Sequence, residues 1–253
     1  MQCKVELLDW MGDDLAVVDA ARVSFAKKSD WVQGVYSEEE GLVLTGEELP
    51  VQYEPYEEYV RMFDDKHREL TGPMLAARDE KLINRLAKHN HWSPFSHNSL
   101  KFRIKAPIFL ARQLGKHQVG LVWNEVSRRY VDNDPEFYVP TEWRERAKNV
   151  KQGSGKGIFS DDLIGYSQHN YYALEYYKHL LDFGICPEQA RMVLPQSMMT
   201  EWIWTGSLVA FHRICKLRMD EHAQKENLEV VVPISEACKR QFPVSWEALC
   251  KYG

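Results

Sequence analysis

No run of 18 consecutive apolar residues occurs in this chain, so no segment reads as a membrane-spanning helix. A basic excess is also lacking: 32 Lys and Arg stand against 37 Asp and Glu, a formal net charge of -5. Proteins that wrap nucleic acid carry a strong basic patch or stripe, so any anion bound here is expected to be small and held by a local cluster. No Gly-rich loop follows a strand, which removes both the dinucleotide fingerprint and the P-loop. The five cysteines, Cys3, Cys186, Cys215, Cys238 and Cys250, are odd in number and include no C-x-x-C pair. That argues against a disulfide framework and for thiols in a reducing compartment. The opening MQCKVELLDW has neither the apolar core nor the small-residue cleavage site of a signal peptide. The expectation is a soluble, cytoplasmic protein with no membrane and no nucleic-acid partner. Internal repeats and low-complexity tracts are absent as well.

What the chain has in quantity is aromatic rings, with eight Trp, twelve Tyr and ten Phe. Such rings fill cores and interfaces, and they also stack on flat ligands. Periodicity supplies the elements. Residues 2–8 alternate, with Cys3, Val5 and Leu7 on one face, and read as a half-buried strand. Asp13 or Asp14 is placed to cap a helix through Leu15, Val18, Ala21 and Arg22. Residues from 27 to about 75–80 carry acidic runs with Gly and Pro and read as an insertion, partly loop and partly short helix. A helix over about 76–88 has Leu82, Ile83 and Leu86 as its apolar stripe. Residues 99–106 give the clearest strand, Leu100, Phe102 and Ile104 against Lys101, Arg103 and Lys105. Pro107 suits the first turn of the helix that follows, to about Lys116 or His117. Gly120 reads as a break, 124–130 as a loop or new element, and 136–139 as a short strand. A mobile surface loop is expected at about 145–158. Ser160-Asp161-Asp162 suits the cap of a long helix stopped by Gly184, and Pro187 opens another. The stretches 200–218 and 220–240 read as two further helices, with Trp246 and Leu249 anchoring the tail. Together these give an α+β (α/β) fold, a central mixed or antiparallel sheet flanked by helices, in a single catalytic domain over 1–253.

Three polar concentrations carry candidate chemistry. The densest is RQLGKHQVGLVWNEVSRRY, residues 112–130, with several cations, one carboxylate and neutral donors. Arginine forks match phosphate oxygens, each shielded charge-assisted bond contributing roughly 1.5–3 kcal/mol; a solvated helix face is the alternative. The second is KHNHWSPFSH, residues 88–97. Its His89, His91 and His97 invite a metal, but the spacing is unlike common zinc motifs and no acidic or Cys ligand is near, so no metal is expected. The third runs from Gln189 to Arg191 and from Lys216 to Gln224. Arginines beside an apolar stretch need an anionic partner if buried, either a ligand or an internal carboxylate such as Asp220 or Glu221.

AARVSF (20–25), HWSPFSH (91–97), KAPIFLARQ (105–113), NEVSRRY (124–130), ARMVLP (190–195) and LRMDEHAQ (217–224) together resemble the flavin-dependent thymidylate synthases. The resemblance covers most of the chain, in order, apart from the insertion and the loop near 145–158. It implies a homotetramer with active sites where subunits meet. It implies methylation of dUMP to dTMP, with methylenetetrahydrofolate as carbon donor and FAD, reduced by NADPH, as hydride donor. In such enzymes the cofactor carries the chemistry and the protein supplies position and charge. By the resemblance Gln113, Glu125, Ser127, Arg128, Arg129, Arg191 and Arg218 contact dUMP, with Arg129 and Arg191 on the phosphate and Arg218 beside the uracil. Ser24, Ser93, Lys116, His117, Gln118 and Glu125 fall at FAD positions, joined by Ser207 and Arg213. His91 lies close to flavin and folate, so Arg218, His91 and Ser127 form the implied catalytic group; Ser127 binds and does not attack the pyrimidine.

The sequence departs from the family pattern at Lys116-His117-Gln118, where the family has Arg-His-Arg. Lysine lacks the planar fork of arginine. The segment to Ser127 is one residue longer than usual, and Ser207 and Arg213 stand where the family has asparagines. Two other readings remain. A nucleic-acid-binding module would use Lys116, Arg128 and Arg129 with nearby aromatics, against the acidic balance. The flavin-free thymidylate synthase needs a cysteine nucleophile; Cys186 is the only one beside a proline, and its surroundings lack that pattern.

Overall fold

A computed structural model describes residues 2–37, 41–48, 70–131, 133–148, 153–159 and 165–253. The N-terminal alternation becomes β1 (Lys4–Met11). Asp13 caps α1 (Asp14–Arg22), its carboxylate accepting from the Ala16 N–H at 2.8 Å and so satisfying one donor that a helix N-terminus leaves open. The region read as loop and short helix is instead strand over most of its described part, with irregular chain at 27–31. β2 (Val32–Ser37), β3 (Gly41–Glu48) and β4 (Leu70–Met74) form an antiparallel three-stranded sheet in the order β3-β2-β4. The β-formers Val32, Val35, Tyr36, Val43 and Thr45 outweigh the neighbouring Gly and Glu that suggested a loop. The acidic run at 54–58 lies outside the described residues. α2 (Ala77–Lys88) buries Ile83 and Leu86 as its stripe requires.

β5 (Ser99–Pro107) keeps its alternation, with Leu100, Phe102 and Ile104 fully buried. Pro107 ends that strand and stands as the N-cap of α3 (Ile108–Leu114), which stops at Gly115, short of Lys116. β6 (Leu121–Glu125) follows Gly120, whose φ of 75° is left-handed and easiest for glycine. Near 136–139 the chain makes a single bridge, Phe137 to Met198. The expected loop at 145–158 begins and ends in strand: β7 (Trp143–Arg146) pairs with β8 (Ser154–Phe159). Charged and glycine residues there conceal any period of two. α4 (Tyr166–Asp182) stops before Gly184, and α5 (Pro187–Ala190) opens on its proline; residues 160–162, the expected cap of α4, lie outside the described residues.

The expected helix over 200–218 is two elements: β9 (Met199–Ser207), then α6 (Leu208–Arg218). β9 pairs antiparallel with β6, Trp123 opposite Trp204 and Glu125 opposite Trp202, within a sheet ordered β1-β5-β9-β6. Burial alternates along β9, but Ile203 between Trp202 and Trp204 removes the polar alternation that would have revealed it. Gly206 faces Leu121, and a Cβ there would fall 2.4 Å from Leu121 Cδ2. α7 (Leu228–Gln241) and α8 (Pro243–Tyr252) close the chain, with Trp246 and Leu249 buried as expected.

The chain gathers into two compact units. The first is Met1–Asp9, Leu100–Gly206 and Arg213–Glu236; the second is Trp10–Ser99, Ser207–His212 and Ala237–Gly253. In the second, Asp14 is buried and accepts from the N–H groups of Val244 and Ser245 at the start of α8, at 2.9 and 2.8 Å. There Arg22, from the AARVSF block, pairs with the fully buried Asp79 of α2, a fold-holding use of one motif cation. Among the described residues no helix is long and apolar enough to cross a membrane.

Candidate active site

In the first unit the β6–β9 pair places a carboxylate at a strand end. Glu125 Oε1 accepts from Thr200 Oγ1 at 2.7 Å and Oε2 from Trp123 Nε1 at 3.2 Å. The Trp123 ring stacks on Trp202 at 4.3 Å and meets Trp204 edge-on at 5.3 Å, so aromatic packing fixes one of the two donors. Val126 N–H bonds to Glu201 O at 2.9 Å, and pairing ends there. The chain then turns, Tyr130 N–H to Ser127 O at 3.0 Å.

Each cation on this loop has its own tether. Arg129 donates from Nε to Ser127 Oγ at 3.1 Å, and its guanidinium lies 4.9 Å from the Tyr130 ring centre. Ser127 Oγ thus accepts from Arg129, in keeping with a hydroxyl that orients a cation. Arg128 donates to both the backbone and side-chain oxygens of Asn133. Arg191 begins a short 3-10 turn, and its Nε donates to Glu188 O at 3.3 Å.

Glu125, Arg128 and Arg191 line one cleft of about 550 Å³, shared with Lys105, Glu136 and Thr200. A volume of that size suits a small organic ligand. Lys105 Nζ holds both oxygens of Glu136 at 2.8 Å. Lys105, Glu136 and Thr200 were not among the residues singled out from sequence. Lys105 figures in the sequence as a polar member of the β5 alternation and as the first residue of the KAPIFLARQ block, and Thr200 falls within a stretch read as helix.

Gln113, His117 and Arg218 do not line this cleft; they form pairs of their own. Arg218 Nε donates to His117 Nε2 at 3.0 Å. Burial, and then the Arg218 charge, holds the His117 pKa below its ordinary value, and burial also lowers that of Arg218. Gln113 Oε1 accepts from Asn227 Nδ2 at 2.9 Å. Lys116 and Gln118 are exposed on the turn between α3 and β6, and Arg213 is exposed on α6. Of the remaining expected residues, Ser24, His91, Ser93 and Ser207 belong to the second unit. Ser24 and Ser93 lie exposed on 3-10 turns, and His91 is exposed with its ring 6.3 Å from His89. Ser207 Oγ accepts from Ala210 N–H at 3.4 Å, capping α6. Among the described residues no three His, Cys, Asp or Glu side chains gather as a metal site would need.

A sheet-end carboxylate, a turn of tethered arginines and a further arginine offer one acceptor and several held cations to an anionic ligand. Comparison with known proteins gives the class. The sequence profile of the thymidylate synthase complementing protein family matches residues 6–244. The flavin-dependent thymidylate synthase of Thermosipho africanus is 34% identical, the match covering 98% of this chain and 91% of that one. A flavin-dependent thymidylate synthase of Thermus thermophilus is 33% identical, with 96% and 74% covered. A crystal structure of the UMP/dUMP methylase PolB from Streptomyces cacaoi, bound with 5-Br dUMP, superposes with a TM-score of 0.73. It is 29% identical over 100% of this chain and 96% of that one. The chain belongs to the flavin-dependent thymidylate synthase family.

Proposed function

We propose that the protein converts dUMP to dTMP, taking the carbon from methylenetetrahydrofolate and the hydride from FAD reduced by NADPH. The observation that carries this reading is the cleft that joins Glu125, Arg128 and Arg191, in a chain whose relatives are flavin-dependent thymidylate synthases. Bound FAD would supply the hydride chemistry; the rest falls to this chain's side chains. Arg191, tethered through Nε, turns its terminal N–H groups to the nucleotide phosphate, and Arg129 joins it with Ser127 fixing its orientation. Glu125, Arg128 and Gln113 orient sugar and base. Arg218 is the cation beside the uracil, where charge placed before the reaction lowers the barrier at no further reorganisation. His91 is the third member of the catalytic group with Arg218 and Ser127.

The donors present suit FAD. Lys116, Gln118 and Arg213 supply two cations and an amide, and His117 an imidazole, chemistry that matches a pyrophosphate. Ser24, Ser93 and Ser207 add hydroxyls and Glu125 an acceptor for the remainder of the cofactor. Lys116 and Gln118 replace planar arginine forks, so the hold on the pyrophosphate relies on charge more than on bidentate geometry.

The working form is a homotetramer with shared active sites. Supporting it, α4 and the residue after it leave Tyr172, Tyr176 and Phe183 64%, 55% and 73% exposed, aromatic surface of the kind interfaces use. Residues 1–253 act as one catalytic domain, with an insertion over about 27–80. A cytoplasmic location fits the five free cysteines. The deciding experiment is a dTMP-forming assay on purified protein with methylenetetrahydrofolate and NADPH, with and without added FAD, with UMP run beside dUMP. Turnover dependent on FAD is expected; flavin-loaded protein that forms no methylated product would end the proposal.

A further inference from the structure

We infer that Asn227 is a positioning residue that sets the side-chain amide of Gln113, so that its N–H2 and not its carbonyl is presented to the nucleotide. The inference rests on the assignment of Gln113 to dUMP in the proposed function. It starts from an atom whose role admits no choice. The Gln224 backbone carbonyl can only accept, and Asn227 lies 3.0 Å from it. The Asn227 atom facing that carbonyl is therefore Nδ2. The same Nδ2 faces Gln113 at 2.9 Å, and an amide nitrogen has only protons to offer. The Gln113 atom that meets it must be Oε1. By elimination Nε2 points away from Asn227, as a donor.

The surroundings make this setting firm. Asn227 is fully buried in the 3-10 turn Lys225–Asn227 between α6 and α7, and its own Oδ1 has no protein partner. Turning the Asn227 amide over would set Oδ1 against the Gln224 carbonyl, two acceptors face to face. Leaving an acceptor unpaired in the interior is costly, and such groups stand out at sites where a geometry is held for use. Gln113, half-buried on α3, is 114 residues away in sequence. The pair thus ties the turn after α6, which carries Arg218, to the helix that leads to Lys116 and His117. A donor is the useful polarity toward a ligand whose phosphate, sugar and carbonyl oxygens are mostly acceptors.

The test is a double-mutant cycle on FAD-loaded protein, reading dUMP affinity by calorimetry, KM and kcat, and the melting temperature. Asn227→Leu is expected to weaken dUMP binding by about tenfold, the effect of one hydrogen bond, with KM changing more than kcat. In a Gln113→Ala background the same substitution should leave dUMP affinity unchanged, though the melting temperature falls in both. An unchanged affinity in the native background, or an equal loss in both, would leave Asn227 purely structural and overturn the inference. If Asn227→Leu does not fold, Gln113→Glu decides. It keeps an acceptor toward Asn227 and puts a carboxylate oxygen where the N–H2 stood. It should bind dUMP more weakly than Gln113→Ala; binding at the native level overturns the inference. Native protein that binds no dUMP at all fails the functional reading itself and removes the inference with it. That result differs from a cycle in which dUMP binds and no coupling appears.

Discussion

Arg218 Nε and His117 Nε2 stand 3.0 Å apart, donor to acceptor. A guanidinium has no acceptor to offer, so His117 must be neutral at Nε2. Burial first, and the adjacent cation second, hold the His117 pKa below 6.5. The folded value lies under the unfolded one, so what the bond contributes is complete above pH 6.5 and is lost as pH falls through the folded value. Arg218 then loses its anchor and faces a second cation. NMR titration of His117 should give a midpoint below 6.5. In Arg218→Leu that midpoint should move up, since the charge contribution is gone and only burial remains. A midpoint unmoved by the substitution would show that the two side chains do not interact in solution.

Asp14 gives a dependence of opposite sign. Burial pushes its pKa up to about 6, against the pull of the Val244 and Ser245 N–H donors. A raised carboxyl binds more protons folded than unfolded, so this group alone adds stability as pH falls from about 6 toward 3.8. Asp14→Ala strands two backbone donors at the start of α8 and should cost about 1–3 kcal/mol. Urea unfolding of native and variant protein across that pH range checks both the cost and the sign.

Arg191→Ala should weaken dUMP binding by about 1.5–3 kcal/mol, the value of a charge-assisted bond, with the melting temperature nearly unchanged because the side chain is exposed. Calorimetric titration with dUMP, and with deoxyuridine as the phosphate-free control, separates the phosphate contact from the rest. Native and variant protein should bind deoxyuridine alike; a variant that binds dUMP as the native protein does would remove Arg191 from the site.

Thr200→Val removes the donor to Glu125 Oε1 and leaves only the Trp123 contact. The expected outcome is a rise in KM for dUMP equivalent to about 0.5–1.5 kcal/mol. Glu125→Gln, made alongside, should erase the effect of the Thr200 change if the hydroxyl acts through Glu125. Steady-state kinetics on the four proteins suffice.

How much of this was legible beforehand depended on contrast between faces. β5 was readable because Leu100, Phe102 and Ile104 alternate with Lys101, Arg103 and Lys105; β9 was not, because Ile203 sits between Trp202 and Trp204. The strands β2, β3 and β4 were hidden by acidic and glycine residues that carry no period. At the site, residue type was legible and partnership was not. Arg191, Glu125 and Arg218 stood out as charges within motifs. Thr200 and Asn227 are ordinary polar residues whose significance comes from partners 75 and 114 positions away. No local pattern encodes such a contact.

The strand order β1-β5-β9-β6 also has a consequence for synthesis. Each hydrogen-bonded neighbour in that sheet comes from a distant stretch of chain, and the interior strand β9 is the last to leave the ribosome. Until it emerges, β6 lacks its native neighbour, and Glu125 has neither its Thr200 partner nor the Trp202 ring stacked on Trp123. Loops of this length close slowly. A nascent chain ending before Met199 therefore exposes unpaired strand edges, the surface that chaperones recognise and aggregates grow from.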